Sequence, residues 1–230
     1  MPVTLTAALF LSTPLPGLAG SEPLLSMDFS AEPGTKTYQW LDRNSYVLKR
    51  DTRDPDKIEL FHAQGALHLR AKKPAFGMVF HEADVVGARR MRVQWGVADY
   101  PGGASYQEGV DNEAIMIYVF FGQERQPSGE LLVPDSPYFI GFYLCRAGTD
   151  ELEQPYVGHH FKKTGRFICL DHPPEGEIAV DEVDLKAEFL NSFDLDRVPD
   201  VSGISIEIDT TEADNDGHAA AFLQRIEFLN

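Results

Sequence analysis

The chain has 230 residues, 43 % of them apolar, with 15 Phe and 8 Tyr supplying much of the bulk. That is enough for one large core and excludes disorder on composition grounds. The 20 Lys plus Arg against 36 Asp plus Glu leave a formal charge of −16, a field that repels nucleic acid and suits divalent cations as ligands or counter-ions.

Residues 1–20 carry no charged side chain, and residues 3–11 are an apolar run. Pro14, Pro16 and Gly17 then break any helix, and small residues at Gly17 and Ala19 have the spacing that a signal peptidase needs. The expectation is a signal peptide cleaved near Ala19 or Gly20, and so a periplasmic or secreted protein; the alternative is a mobile or packed N-terminal segment. The apolar run is too short to span a bilayer, and no later segment reaches the roughly 18 apolar residues a span requires. Residues 21–230 are expected to form a single domain, since no repeat or linker divides them.

Alternation with period two dominates that domain. Leu67 and Leu69 oppose His68 and Arg70; Met91, Val93, Trp95 and Val97 oppose Arg92 and Gln94; Ile204, Ile206 and Ile208 oppose Ser205, Glu207 and Asp209. Residues 114–121 and 138–144 are apolar on both faces, as expected for strands covered above and below. Turn signals such as Pro101-Gly102-Gly103 and Asn215-Asp216-Gly217 separate these runs. The pattern predicts an all-β fold, an antiparallel two-sheet sandwich or jelly roll of eight to ten strands. One short helix interrupts it near 184–194: Asp184 is placed to cap it, and Leu185, Phe189 and Phe193 fall on one stripe.

Cys145 and Cys169 both lie in segments that read as strands. If those strands pair antiparallel the sulfurs face each other, and an oxidising compartment gives a disulfide; the alternative is two buried thiols.

Three polar groupings are candidate sites. The loop after the Ile strand holds Asp209, Asp214 and Asp216, oxygen donors of the kind Ca²⁺ takes, although the spacing is not that of an EF-hand and a turn built from Asx residues explains the same sequence. If residues 203–209 and 222–228 are neighbours across that loop, Glu207 and Asp209 share a face with Arg225, joined by Arg92 and Gln94. Such a face holds sugars in jelly-roll modules, and it is equally an ordinary solvated face laced with cross-strand ion pairs. The loop 98–113 mixes Tyr100 and Tyr106 with acidic residues including Glu113, a composition suited to stacking and hydrogen bonding a sugar or, with two converging carboxylates, to cleaving one. No nucleophile elbow, P-loop or dinucleotide fingerprint is present.

Several segments resemble the uncharacterised bacterial family labelled domain of unknown function 3047. They are Phe29 with Trp40, residues 67–71, 91–97 and 111–120, and the closing 203–209, acidic loop and 219–228. The likeness spans most of the chain after residue 27, with residues 123–172, which carry both cysteines, as an insert-like departure. The resemblance implies an exported β-sandwich and supplies no activity. The first expectation is therefore a non-catalytic exported binding domain for a glycan or other polar polymer, with Ca²⁺ as a possible loop stabiliser. The alternatives are a glycoside hydrolase or lyase on the same scaffold, or an assembly protein.

Overall fold

A computed structural model describes residues 22–31, 34–130, 133–150, 154–158 and 160–230; the expected signal peptide lies outside them. The chain runs β1 (Leu25–Asp28), α1 (Thr37–Arg43), β2 (Val47–Arg50), β3 (Ile58–Ala63), β4 (Ala66–Lys72), β5 (Phe76–Val85) and β6 (Arg90–Asp99). It continues through β7 (Glu113–Gln126), β8 (Ser136–Leu144), β9 (Tyr156–Val157), β10 (Gly165–Asp171), β11 (Ala179–Asp184), α2 (Leu185–Ser192), β12 (Val201–Asp209) and β13 (His218–Leu229). Six strands make one sheet, in the order β11-β6-β13-β4-β3 with β1 also on β13; seven make the other, β2-β5-β12-β7-β8-β10-β9. This is the two-sheet sandwich that the alternation predicts. Among the described residues no helix is long and apolar enough to cross a membrane.

The inward rows of the alternating strands form the core. Leu67, Leu69, Trp95 and Phe228 from one sheet meet Ile117, Phe142, Ile204, Ile206 and Ile208 from the other, all of them fully buried. Each large apolar side chain removed from water in this way contributes about 1.5–3 kcal/mol. Asp184 caps α2 by accepting from the backbone N–H of Ala187 at 2.8 Å, and Leu185 and Phe189 are buried on the predicted stripe. The helix stops at Ser192, and Phe193 continues the stripe in extended conformation.

Two connections cross between the sheets side by side. Residues 73–75 carry the chain from β4 to β5, and residues 210–217 carry it from β12 to β13; β12 pairs with β5, and β13 with β4. The fully buried Thr210 pins the two crossings: its hydroxyl accepts from Ala75 N, and its own N–H donates to Ala75 O at 2.9 Å. Gly217, at φ +76°, packs so close to Pro74 that a Cβ there would come within 2.0 Å of the proline nitrogen. The expected side-by-side pairing of residues 203–209 with 222–228 is therefore wrong. The eight-residue link is long enough to change sheets, and Thr210 anchors it in the change.

Two further expectations are corrected in detail. Cys145 and Cys169 do form a disulfide, with Cα atoms 5.7 Å apart, but β8 and β10 run parallel. A parallel pair needs a long return connection, and residues 145–164 supply it. The helix α1 adds a second to the one expected near 184–194, and no cap signals it: Lys36 at its N-cap makes no side-chain capping bond, so packing holds it, with Leu41 fully buried and Trp40 stacked 5.8 Å from Tyr46.

Candidate functional site: an aromatic sheet face with paired carboxyl groups

The outward face of the seven-stranded sheet carries the chemistry. Outward-pointing positions on adjacent strands place Phe80, Ser205, Tyr118, Gly141 and Phe167 in one row, and Met78, Glu207, Met116 and Tyr143 in the next. Aromatic rings lie over this sheet because glycine makes room for them. A Cβ on Gly141 would come within 2.3 Å of Met116 Sδ and 2.9 Å of the Phe167 and Tyr118 rings. Tyr118, Phe139 and Phe167 then pack edge to face, with centroids 5.2–6.2 Å apart. The disulfide borders this second apolar cluster.

Strict alternation would send Glu113 into the core with Ile115. A bulge prevents it: Glu207 pairs with Met116 but Asp209 pairs with Glu113, so three steps on β7 match two on β12. The extra residue turns the Glu113 side chain toward Tyr106 and Glu207, a re-aiming that bulges commonly perform. Ala114 and Ile115 both stay in the core as a result.

Glu113 and Glu207 are 2 % and 3 % exposed. The Tyr106 hydroxyl donates to Glu113 Oε2 at 2.5 Å, and the Tyr118 hydroxyl donates to Glu207 Oε1 at 2.6 Å. The remaining oxygens, Glu113 Oε1 and Glu207 Oε2, are buried with no N–H or O–H aimed at them. The two carboxyl groups perturb each other's proton affinity, and these two acceptor oxygens can be satisfied by one another only if one carboxyl group carries a proton. Burial first, then the charges of Glu207 and Asp209, hold the Glu113 carboxyl well above the usual range. Burial raises Glu207 as well, against the opposing pull of the Tyr118 hydroxyl. Asp209, on the same face, is raised chiefly by burial, and its Oδ1 accepts from the backbone N–H and the hydroxyl of Thr211.

A buried carboxylate that the sequence did not single out fixes this arrangement. Asp150, 2 % exposed, accepts from Ser105 Oγ and Gln107 N, both at 3.0 Å, and from the Tyr143 hydroxyl at 2.9 Å. It ties the short 3₁₀ turn that carries Tyr106 to β8. An acidic residue in a loop of acidic residues gives no sequence signal for that role.

Beside the carboxyl pair the same face opens into a cleft of about 670 Å³. Phe80 and Phe120, centroids 5.9 Å apart, line it with Met78, Lys49, Glu82 and Arg125 among others. Phe120 lies 6.1 Å from Tyr118, and Met78 is the strand neighbour of Glu207, so the cleft and the carboxyl pair are contiguous.

Of the sequence-predicted residues, Tyr106, Glu113, Glu207 and Asp209 therefore meet. Arg92, Gln94 and Arg225 do not join them, because β6 and β13 belong to the other sheet. Arg92 bonds Glu182 at 2.8 Å, and Arg225 bonds Asp28 at 2.8 Å, so that face is the ion-pair-laced alternative. Tyr100 is 6 % exposed, packs in the core and donates to Pro173 O at 2.8 Å. Asp214 sits against Gly102 and Gly103, and Asp216 takes a left-handed turn conformation. With Asp209 engaged by Thr211, this is the Asx-turn arrangement. Among the described residues no three His, Cys, Asp or Glu side chains are gathered as a metal ion would require.

No family model matches the chain, and no curated protein matches it. Among solved structures it is similar to the potassium-bound carbohydrate recognition domain of Emp46p, with TM-score 0.40 and 9 % identity over 83 % of this chain and 91 % of that one. Endoglucanase 3 of Trichoderma harzianum, from family GH12, gives TM-score 0.40 and 11 % identity over 92 % and 100 %. The agarase AgWH50C gives 0.33 and 12 % over 81 % of this chain and 23 % of that one. Similarity at this level aligns strands and bears on neither activity nor ligand.

Proposed function

We propose that this protein is an exported, non-catalytic glycan-binding domain whose site is the outward face of the seven-stranded sheet. The supporting observation is the cleft at Phe80 and Phe120. Its volume falls in the range of ligand sites, and it combines half-buried rings with a polar rim. A sugar presents both an apolar C–H face, which stacks on such rings, and hydroxyls, which the rim can bond. The Cys145–Cys169 disulfide favours an oxidising compartment. A glycan array followed by calorimetry with several polysaccharides tests the reading. Binding that is lost in Phe120→Ala supports it, and flat responses throughout refute it.

The enzyme alternative draws on one observation, the convergence of Glu113 and Glu207 with raised proton affinity. Their burial argues against direct contact with a substrate. If turnover of any glycan is found, Glu113→Ala and Glu207→Ala variants that keep it dismiss this reading.

A further inference from the structure

The cleft also brings together two cations from different strands. Lys49 projects from β2, with its Nζ 3.8 Å above the centre of the Phe80 ring. Arg125 lies near the end of β7, and its Nη1 donates to the backbone oxygen of Asp135 at 3.3 Å. Both line the same cavity.

Neither cation forms an ion pair among the described residues, whereas Lys57, Arg90, Arg92 and Arg225 are each matched to a carboxylate. What sets Lys49 and Arg125 apart from the chain's other cations is that both line the cleft that carries the Phe80 and Phe120 rings. They are also close enough to oppose each other. Burial first, and Arg125 second, hold the Lys49 ammonium below its ordinary value, with Glu82 offsetting part of this. An ammonium partly withdrawn from water and set beside a second cation gains from an arriving anion, and charge-assisted hydrogen bonds are the stronger ones. The ring of Phe80 holds it in place before any ligand arrives.

We propose that Lys49 and Arg125 form an anion-reading subsite of this cleft, which takes one carboxylate or sulfate carried by a sugar of an otherwise uncharged oligosaccharide. The inference rests on the glycan reading above and specifies its ligand class. A single charge is favoured over a densely charged polymer for two reasons. Glu82, Asp84 and Asp135 share the cleft wall, and a polymer lying along the acidic surface is repelled wherever it comes within the roughly 8 Å over which salt leaves the field largely unscreened.

The test is calorimetry of the full chain with matched oligosaccharide pairs: a neutral member, the same chain bearing one uronate, and the same chain bearing one sulfate ester. The acidic member is expected to bind about tenfold more tightly than its neutral partner. That advantage should shrink as NaCl rises and disappear in Lys49→Met and in Arg125→Gln, each checked for an unchanged melting temperature. Arg125 is exposed, so its substitution leaves the fold intact even if Lys49→Met does not. A tighter uronate or a tighter sulfate identifies which anion is read. Equal affinity for neutral and acidic members, unaffected by the substitutions, overturns this inference and leaves the glycan reading standing. No binding by any member of any pair overturns both.

Discussion

Replacing Glu113 by Gln should stabilise the protein at neutral pH and not at acid pH. Gln has the shape of the protonated side chain, accepts from Tyr106, and offers an N–H to Glu207 without needing a proton. In the native protein the buried Glu113–Glu207 pair keeps a proton that the unfolded chain releases near its ordinary value of 4.5. The folded state then binds more protons than the unfolded one, so stability falls as pH rises above 4.5 and continues to fall until the pair finally ionises. The slope is about 1.4 kcal/mol per pH unit for one proton. Above pH 4.5 the penalty that Glu113→Gln removes grows by at most about 1.4 kcal/mol for each pH unit until the pair ionises. Each kcal/mol corresponds to roughly 2–4 °C in a chain of this size. Thermal melts of both proteins from pH 4.5 to 8.5 should therefore converge at the acid end and separate progressively toward pH 8.5. Curves that stay parallel across that range would refute the shared proton.

Three structural predictions can be checked by denaturant unfolding. Removing the disulfide with Cys145→Ser and Cys169→Ser together should cost about 3–4 kcal/mol, by freeing a loop that spans a sequence separation of 24. Unchanged stability would mean that the residues between β8 and β10 are held without it. Phe189→Ala should cost about 3–5 kcal/mol, because the ring is fully buried against Phe121 and Phe193 at 4.7 and 4.9 Å. Asp184→Ala should cost about 1 kcal/mol through loss of the α2 cap; a loss several times larger would show a role beyond capping.

Local alternation made the sandwich legible, because an inward row such as Ile204, Ile206 and Ile208 needs only its own strand to declare itself. The α2 stripe and its Asp184 cap were legible for the same reason. Sheet order was not. Strands β12 and β13 look like a hairpin in sequence, and only Thr210, held by a segment 135 residues away, shows that the link changes sheets. A hairpin reading therefore puts Arg92 and Arg225 beside Glu207, whereas the sheets separate them. The bulge at Glu113 was hidden too, since one added residue alters no hydrophobic pattern but reverses the face of a side chain. Asp150 and the Lys49–Arg125 pair join segments far apart in the chain, and no spacing rule reports such meetings.

If the outward face of the seven-stranded sheet is the binding surface, the six-stranded sheet carries only structural ion pairs. A paired isotherm with one bound oligosaccharide addresses this most directly. The predicted result is at least about tenfold weaker binding in Phe120→Ala, a loss of about 1.4 kcal/mol, with Arg92→Ala indistinguishable from the native protein. Weakened binding in Arg92→Ala with Phe120→Ala unaffected would contradict it and move the site to the six-stranded sheet.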